Sequence, residues 1–301
     1  MSITQVLASK LFHIVASLGR PFGGIRPHRI AHRLSQIAYR NKTPSEADFR
    51  WYADRHGLMM KLHPYYLIDR EIIAFGGYEL PLQRFIEKHI HSGMICMDVG
   101  ANMGAIALHL TKRVGVLGQV YGFEPVPANA QRLREHAAKN SFADRLQVVE
   151  CALSDTDASF ELLVASPAHV NQGMGSLVEV DNGELKNKIV VQAFRLDSFC
   201  DANSLTKVDF IKVDIQGAEP LFLTGAQETL RRMRPRLVME VAPSSLSSSG
   251  YSSRDLLSRM EILGYNAFAL KSSGEKGSRL TAESCSPNFT AENVLFEHQN
   301  N

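Results

Sequence analysis

Two acidic residues on either side of a glycine-rich segment are the first chemical signal in this sequence. Asp98 closes an apolar run and is followed by Gly100 and Gly104, and Glu124 and Pro125 close a second apolar run about 20 residues later. In open parallel sheets, ligands bind at the carboxyl ends of the strands, and an acidic residue after the second strand can accept both ribose hydroxyl groups. The arrangement predicts a nucleoside site.

The glycine-rich segment itself distinguishes two nucleoside cofactors. NAD sites use the pattern GxGxxG, whose glycines bring the backbone up to a pyrophosphate. Here the letters are GANMG, from Gly100 to Gly104 with Asn102 at the centre, and Asp98 comes just before them. A carboxylate at that place would repel a pyrophosphate but attract the ammonium group of S-adenosylmethionine, which also carries a sulfonium and has no phosphate. The sequence therefore favours S-adenosylmethionine over NAD.

Three further ionisable residues fall at the ends of the predicted fourth and fifth strands. Asp214 follows the fourth strand, Lys212 lies two residues earlier on the same face, and Glu240 lies near the end of the fifth. An alcohol acceptor needs a general base within hydrogen-bond reach, and Asp214 is the best placed candidate. Lys212 has two interpretations, a catalytic residue or a structural partner of Asp214. No compact second set of ligands accompanies them, so we expect no metal site.

The elements that would position these residues begin at residue 94. Short β-rich runs alternate with helical patterns from "MICMDVG" to "NVLFEH", which predicts an α/β fold with a doubly wound, mostly parallel sheet. Residues 158–199 read as extra strands, and residues 243–253 read as a Ser-rich loop after the fifth strand. Because loops at strand ends often carry function, we expect residues 165–178 and 243–253 to cover the acceptor cleft.

The first 90 residues read as helical and irregular. "TPSEADFRWYADRHG" predicts a helix that begins near Thr43, and "YELPLQRFIEKHIHSG" predicts another that ends at Gly93. We therefore divide the chain into a basic, helical N-terminal extension over residues 1–75 and a catalytic domain over residues 76–301.

Residues 1–42 form a basic arm with two interpretations. They combine an apolar helical stripe with seven Lys and Arg side chains and no Asp or Glu. One interpretation is peripheral contact with an anionic membrane surface. The other is docking of the stripe on protein, which we favour because the basic part extends past the stripe and is broken by Gly and Pro. No segment approaches the about 20 apolar residues of a membrane span.

Composition and cysteine spacing exclude several classes of protein. The chain has 301 residues, 45% hydrophobic residues and a net charge of +2, which is ordinary for a globular protein. Its four cysteines are far apart and show no CxxC pair, so we expect buried free thiols and a cytoplasmic location. Since the arm holds the excess positive charge, the remainder is acidic, which argues against a nucleic-acid partner. We expect a small-molecule or glycan acceptor, and the oligomeric state stays open.

Several of these segments together resemble the FkbM-type methyltransferases in order and spacing, over roughly residues 76–298. The segments are "DVGANMGAIALHL", "VYGFEPVPANAQRL", "VDFIKVDIQGAE" and "LTGAQETLRRMRPRLVMEV". The resemblance implies a class I methyltransferase fold, with a Rossmann-like, seven-stranded sheet whose last-placed strand is antiparallel. It also implies methyl transfer from S-adenosylmethionine to a hydroxyl of a sugar or natural product. The family often has Glu where this chain has Gln216.

The same resemblance implies positions for the cofactor. It places Asp98, Gly100, Asn102 and Gly104 around the methionine part, Glu124 and Pro125 at the ribose, Ala152 and Leu153 at the adenine edge, and Tyr78 and Glu79 over the cofactor. Two alternatives remain: a non-catalytic, membrane-attached module that binds a nucleoside, and a methyltransferase for another class of acceptor.

Overall fold

The structure is a computed structural model, and it describes residues 7–8, 10–12, 14, 33–34, 37–38, 46–165, 175–176, 185–285, 289 and 291–300. The chain divides into two compact units, Met1–Glu79 with Ala165–Gly173 and Leu80–Val164 with Met174–Asn301.

The first unit contains a β-hairpin where the sequence predicted a helix from Thr43. The Asp54 carboxylate accepts the backbone N–H groups of His56 and Leu58, each at 2.8 Å, and Gly57 has a φ of +78°. The helix prediction was wrong because Asp and Gly form a turn here, and the aromatic residues before the turn favour a strand. Over residues 46–79 its elements are a 3-10 helix (Glu46–Asp48), the paired antiparallel strands β1 (Arg50–Ala53) and β2 (Met59–Leu62), and helix α1 (Leu67–Phe75).

The second unit alternates strands and helices from residue 94 onward, as the sequence predicted. Its strands are β3 (Ile95–Val99), β4 (Gln119–Phe123), β5 (Leu146–Val149), β6 (Ala152–Leu153), β7 (Ala158–Ala165), β8 (Gly175–Ser176), β9 (Leu185–Phe194), β10 (Phe210–Val213), β11 (Arg236–Val241), β12 (Tyr265–Leu270), β13 (Lys276–Leu280) and β14 (Ala291–His298). Its helices are α2 (Leu80–His89), α3 (Ala107–Val114), α4 (Pro127–Lys139), α5 (Leu196–Ala202), α6 (Glu219–Gly225), α7 (Gln227–Met233), α8 (Pro243–Ser248) and α9 (Ser253–Ile262).

Among the described residues, an eight-stranded sheet has the order β13-β12-β14-β11-β10-β3-β4-β5. Strands β3, β4, β5, β10 and β11 are parallel, and β14 is antiparallel to both of its neighbours. The predicted α/β, doubly wound fold is confirmed, including its antiparallel last-placed strand. The expected seven strands become eight because β13 adds an edge strand, and its charged, mostly exposed residues lack the apolar alternation that marks a strand in a sequence.

The middle strands of this sheet are buried on both faces. Every residue of β10 is buried, and in β3 all residues after the first are buried. Parallel strands covered on both faces read as continuous apolar runs, which is why both were easy to predict. Lys212 and Asp98 interrupt these runs as direct partners in the parallel ladder between β10 and β3. Two charged side chains therefore lie side by side within an apolar layer.

A helix predicted as continuous over residues 220–233 is divided at Ala226 into α6 and α7. The carboxylate of Asp197 accepts the backbone N–H groups of Glu228 and Thr229, at 3.2 and 2.8 Å, and so caps the first turn of α7. Because these two N–H groups donate to Asp197, they are not available to donate to the carbonyl groups of α6, and the helix is interrupted. The cap comes from a residue distant in sequence, so local periodicity did not reveal the break.

The Ser-rich segment 243–253, predicted as a loop, contains helix α8 instead. The helix begins with a proline at its first position, and Leu246 is fully buried. The hydroxyl groups of Ser247 and Ser248 donate to the carbonyl oxygen of Ser244, at 3.0 and 3.1 Å. Serine side chains that bond back to their own helix satisfy their polar groups locally, so a serine-rich segment need not be a loop.

The described residues between Ala158 and Phe194 form the predicted extra strands β7, β8 and β9, which belong with β6 to a second sheet of order β6-β9-β7-β8. Helix α5 begins at Leu196, so the last part of the insertion is helical. Most of the predicted acceptor cover at 165–178 lies outside the described residues. All four cysteines are buried free thiols, as expected.

The described residues of the basic arm expose its apolar stripe. Leu7, Leu11 and Ile14 are 55%, 47% and 54% exposed, whereas Ala8 and Phe12 are buried. In the described part of the arm, three residues of the stripe are thus exposed, while two neighbouring residues of the same helical segment are buried. In the same part of the chain, no helix is long and apolar enough to cross a bilayer.

The ends of β3 and β10 approach so closely that residue 100 must be glycine. Gly100 has a φ of +81°, and a Cβ atom added to it would lie 2.0 Å from the carbonyl oxygen of Asp214. On the other side of the same contact, the N–H of Asp214 donates to the carbonyl oxygen of Val99 at 3.0 Å. The turns after these two strands are thus in direct backbone contact.

We expect Gly100→Ala to lower the free energy of unfolding by about 2–5 kcal/mol, the sum of left-handed backbone strain and overpacking. Gly250→Ala is the matched control, because Gly250 has a φ of +77° and nothing within 4 Å of an added Cβ. The control should lose only the strain, about 1–2 kcal/mol. Urea unfolding followed by circular dichroism measures both. Equal losses would show that the contact with Asp214 tolerates a methyl group.

Candidate functional site

The glycine-rich loop after β3 uses its own N–H groups to attach itself to β4. The N–H groups of residues 100 and 101 donate to the carbonyl oxygen of Phe123, at 3.0 and 2.9 Å, and the N–H of Asn102 donates to the Glu124 carboxylate at 2.8 Å. The N–H groups of residues 103 and 104 bond to oxygen atoms within the loop. Five successive N–H groups are thus occupied, and they do not form the open cradle that a pyrophosphate requires.

Glu124, just after β4, is buried and holds the loop in place. Its carboxylate accepts the N–H groups of Asn102 and Val126, at 2.8 and 2.9 Å, and the side-chain amide of Asn129 at 3.3 Å. Burial raises the pKa of Glu124 to about 7, while these hydrogen bonds lower it. A carboxylate has about four acceptor positions, so three donors leave room for a ligand hydroxyl.

Asp98, in β3, is only 1% exposed. Neither of its carboxylate oxygens accepts a hydrogen bond of normal geometry from the described residues. Burial raises the pKa of Asp98 to about 6, the Lys212 ammonium lowers it, and the Asp214 carboxylate raises it. A buried carboxylate costs free energy unless a cation or a hydrogen-bond donor reaches it. Asp98 is therefore suited to a positively charged group.

Lys212, Asp214, Gln216 and Glu240 form one connected cluster at the carboxyl ends of β10 and β11. The Lys212 ammonium lies 3.1 Å from the Asp214 carboxylate, with the side chains 5% and 17% exposed. The Gln216 side-chain amide donates to Asp214 at 2.7 Å and to Glu240 at 3.1 Å. We call these four residues the acid cluster. The sequence predicted three of them as neighbours, and the structure brings all three together.

Asp214 stays ionised although it is largely buried. Burial pushes its pKa upward, but the Lys212 ammonium and the hydrogen bonds with Gln216, Lys212 and Glu240 outweigh burial, so the pKa lies below its ordinary value. At neutral pH an acceptor near the acid cluster therefore meets a carboxylate that is able to take up a proton.

Two residues of this site were not predicted from the sequence. Glu219, the first residue of α6, accepts the N–H groups of Ile215 and Gly217 at 3.1 and 3.0 Å and so holds the turn after Asp214. Its signal was available, because an acidic residue at a helix start commonly caps the preceding turn. Gln216 was noted only as a departure from the family. Its bridge to Glu240 joins two strand ends, which local pattern does not show.

The remaining predicted residues have less specific surroundings. Ala152 and Leu153 form β6 of the second sheet and are buried. Pro125 is half-buried beside Glu124, whereas Tyr78 and Glu79 belong to the first unit. Their contact with a cofactor stays a prediction. A cleft of about 340 Å³ lies at the amino ends of β3, β10 and β11, opposite the carboxyl ends, and none of the predicted site residues lines it.

The site as a whole carries excess negative charge. Asp98, Glu124, Asp214 and Glu240 line it, and Lys212 is the cation among them. Such a site binds a cationic ligand more readily than a phosphate or carboxylate ligand. In the part of the chain that the structure describes, no cluster of three or more His, Cys, Asp or Glu side chains is arranged to hold a metal ion.

Comparison with protein families agrees with this site. The family model described as the methyltransferase FkbM domain matches residues 98–267, from Asp98 in β3 to the first half of β12. The match includes the glycine-rich loop, Glu124 and the acid cluster. The chain belongs to the FkbM methyltransferase family, a class of Rossmann-like methyltransferases, and its cofactor is S-adenosylmethionine.

Individual relatives are more distant. The chain is 29% identical over 156 residues to the 2-O-methyltransferase NoeI of Sinorhizobium fredii, a match covering 46% of this chain and 60% of NoeI. It is 24% identical over 198 residues to the methyltransferase sdnD of Sordaria araneosa, covering 58% of this chain and 73% of that protein. The FkbM methyltransferase structure from Methylobacillus flagellatus aligns with a TM-score of 0.45 at 16% identity, covering 97% of this chain and 59% of that one.

The residues present fit S-adenosylmethionine. The orphaned carboxylate of Asp98 suits its ammonium group, and the free acceptor position of Glu124 suits a ribose hydroxyl. The N–H groups of residues 100–104 already donate to oxygen atoms of the protein, so they are not available to bind a phosphate, and S-adenosylmethionine has none.

We expect cofactor affinity to depend on pH through Asp98. Its pKa is about 6 without a bound cation. Because only the ionised carboxylate attracts an ammonium, affinity should fall as the pH drops below this value, by about tenfold per pH unit. Calorimetric titration with S-adenosylhomocysteine between pH 5 and pH 8 measures the dependence.

Asp98→Asn and Glu124→Gln separate the two buried acids in this titration. The Asp98→Asn protein should bind more weakly at pH 8 and lose most of the pH dependence. The Glu124→Gln protein keeps Asp98, so its cofactor affinity should still depend on pH. Affinity that stays constant across the range in the unmodified protein would contradict the assignment of Asp98 to the ammonium group.

Proposed function

We propose that this chain transfers a methyl group from S-adenosylmethionine to a hydroxyl oxygen of an uncharged sugar or natural-product acceptor. The observation that carries the proposal is the acid cluster, which presents an ionised carboxylate beside the cofactor loop. The relative NoeI, by its name a 2-O-methyltransferase, supports transfer to oxygen. The excess negative charge of the site favours an uncharged acceptor, since an anionic one would be repelled.

The cofactor residues of the proposal are those that the sequence predicted. We propose that Asp98 binds the ammonium group and Glu124 a ribose hydroxyl, on the loop that carries Gly100, Asn102 and Gly104. Pro125, Ala152, Leu153, Tyr78 and Glu79 remain predicted neighbours of the cofactor. We also propose residues 76–301 as the catalytic domain and residues 1–75 as an N-terminal extension. The family match over residues 98–267 lies within the first of these ranges.

In the proposed reaction Asp214 is the general base. S-adenosylmethionine, when bound, supplies a methyl group on a sulfonium that is already activated for displacement. The chain must hold the acceptor hydroxyl near the cofactor and remove its proton as the new bond forms. Asp214 is ionised, and Lys212 and Gln216 fix both of its oxygens. Lys212 keeps the carboxylate ionised, and Glu240 borders the same site and is placed to bind a neighbouring hydroxyl.

We expect Asp214→Asn to lower kcat by roughly 10²–10⁴-fold, the usual contribution of a general base, and to leave cofactor affinity nearly unchanged. Asp201→Asn is the matched control, because it makes the same chemical change at a side chain that is 78% exposed. The assay is release of S-adenosylhomocysteine in the presence of uncharged glycan fractions, followed by mass spectrometry of the product.

Three results would count against this function. A product methylated on nitrogen or carbon would identify another acceptor class. Equal activity of the Asp214→Asn and Asp201→Asn proteins would remove Asp214 as the base. Tight cofactor binding with no turnover on any extract would favour a non-catalytic nucleoside-binding module.

We propose in addition that residues 1–42 hold a cytoplasmic protein at an anionic membrane surface. The exposed Leu7, Leu11 and Ile14 and the seven basic side chains of the arm support membrane contact over docking on this chain. The full-length protein should float with anionic vesicles at low salt and should lose this behaviour at high salt. A protein lacking residues 1–42 should stay at the bottom. If the full-length protein also stays there and the truncation changes the oligomeric state, the stripe packs on a second copy instead.

A further inference from the structure

We propose that Gln216 is a positioning residue, whose side-chain amide holds Asp214 in the place and charge state that a general base needs. The inference rests on the proposed function.

Hydrogen bonds hold the backbone around Gln216 in one conformation, which fixes the direction of its side chain. Gln216 has a φ of +53°, a left-handed conformation that is strained for a residue with a side chain. The conformation is imposed from both sides. Glu219 holds the N–H groups of Ile215 and Gly217, and the hydroxyl of Ser249, just after α8, donates to the carbonyl oxygen of Gly217 at 2.7 Å. A Cβ on Gly217 would lie 2.3 Å from a carbonyl oxygen of α8.

The amide performs a task that a carboxylate cannot. One Gln216 nitrogen carries two hydrogens and donates to Asp214 at 2.7 Å and to Glu240 at 3.1 Å. Both acids are therefore joined through a neutral donor. A Glu at this position would have no hydrogens to give at neutral pH, and it would bring a third carboxylate against the other two.

Charged groups on every surrounding element act on Asp214. Lys212 and the hydrogen bond with Glu240 on β11 favour the carboxylate, burial disfavours it, and Asp214 in turn raises the pKa of Asp98 on β3 and of Glu219 on α6. Because these acids lie close together, neutral donors contribute to the balance. Gln216 supplies such a donor, and its removal should shift the balance toward the protonated form of Asp214.

Two variants test the inference. Gln216→Met removes the donor without adding charge, and Gln216→Glu removes the donor and adds a carboxylate. We expect the pKa of Asp214 to rise in both, and more in Gln216→Glu, by about one to two pH units. The acidic limb of the kcat profile should move by the same amount, while KM for the cofactor stays within about threefold. Gln131→Glu is the matched control for Gln216→Glu. The Gln131 amide also donates to an acid, Glu135, at 3.3 Å, but Gln131 is exposed on the surface.

The primary readout does not require turnover. Carbon-13 NMR of carboxyl-labelled aspartate, with the Asp214 signal assigned by its loss in Asp214→Asn, follows the pKa in the full-length protein. An unchanged Asp214 pKa in both variants overturns the inference, even if activity falls. A rise in the pKa without any acceptor being found upholds the role of Gln216 and places the failure in the proposed acceptor. A loss of cofactor affinity with an unchanged pKa would assign Gln216 to the cofactor site and overturn the inference.

Discussion

The carbonyl oxygen of Asp214 occupies the space that a side chain on residue 100 would need. Because of this contact, the loop after β3 and the turn after β10 share one backbone surface, and the distance between them cannot change independently. The cofactor loop is tied on its other side to Phe123 and Glu124 at the end of β4. The ends of β3, β4 and β10 are thus joined by direct backbone contact and hydrogen bonds, so a ligand held by the loop would lie near the carboxylate of Asp214. Proximity of this kind is the main contribution that a protein can make to a displacement on an activated methyl group.

Charge is distributed around this contact in an unusual way for a buried region. Asp98 and Lys212 are partners in the sheet, and Lys212 also pairs with Asp214, so one cation is shared by two acids. The pKa values of the two acids consequently shift in opposite directions. The donors around Asp214 lower its pKa and keep it ionised, whereas burial raises the pKa of Asp98. The two acids therefore suit different tasks: Asp214 can accept a proton, and Asp98 can bind a cation.

The sequence was informative where the determinants are local. Asp98 lies near the end of an apolar strand, Glu124 and Asp214 directly follow such strands, and their positions at the carboxyl ends of the sheet followed from the α/β alternation. Prediction failed where a distant residue decides the outcome, as at Ala226, where Asp197 caps α7, and at Gln216, whose bridge to Glu240 spans two strands. It also failed where composition is misleading. Serines that bond to their own helix were interpreted as a loop, and a segment with an aspartate and a glycine that form a hairpin turn was interpreted as a helix.

Helix α8 couples the shape of the predicted acceptor cover to the turn that carries Gln216. The segment that begins at Pro243 borders the site and also supports the backbone of Gly217 through Ser249. A mutation that reshapes this segment for a new acceptor would also move the turn that carries Gln216. A change in acceptor selectivity would then be accompanied by a change in rate. Among the described residues, the β7–β9 insertion has no comparable hydrogen bond to this turn, so we expect new acceptors to be accommodated first by changes in the insertion.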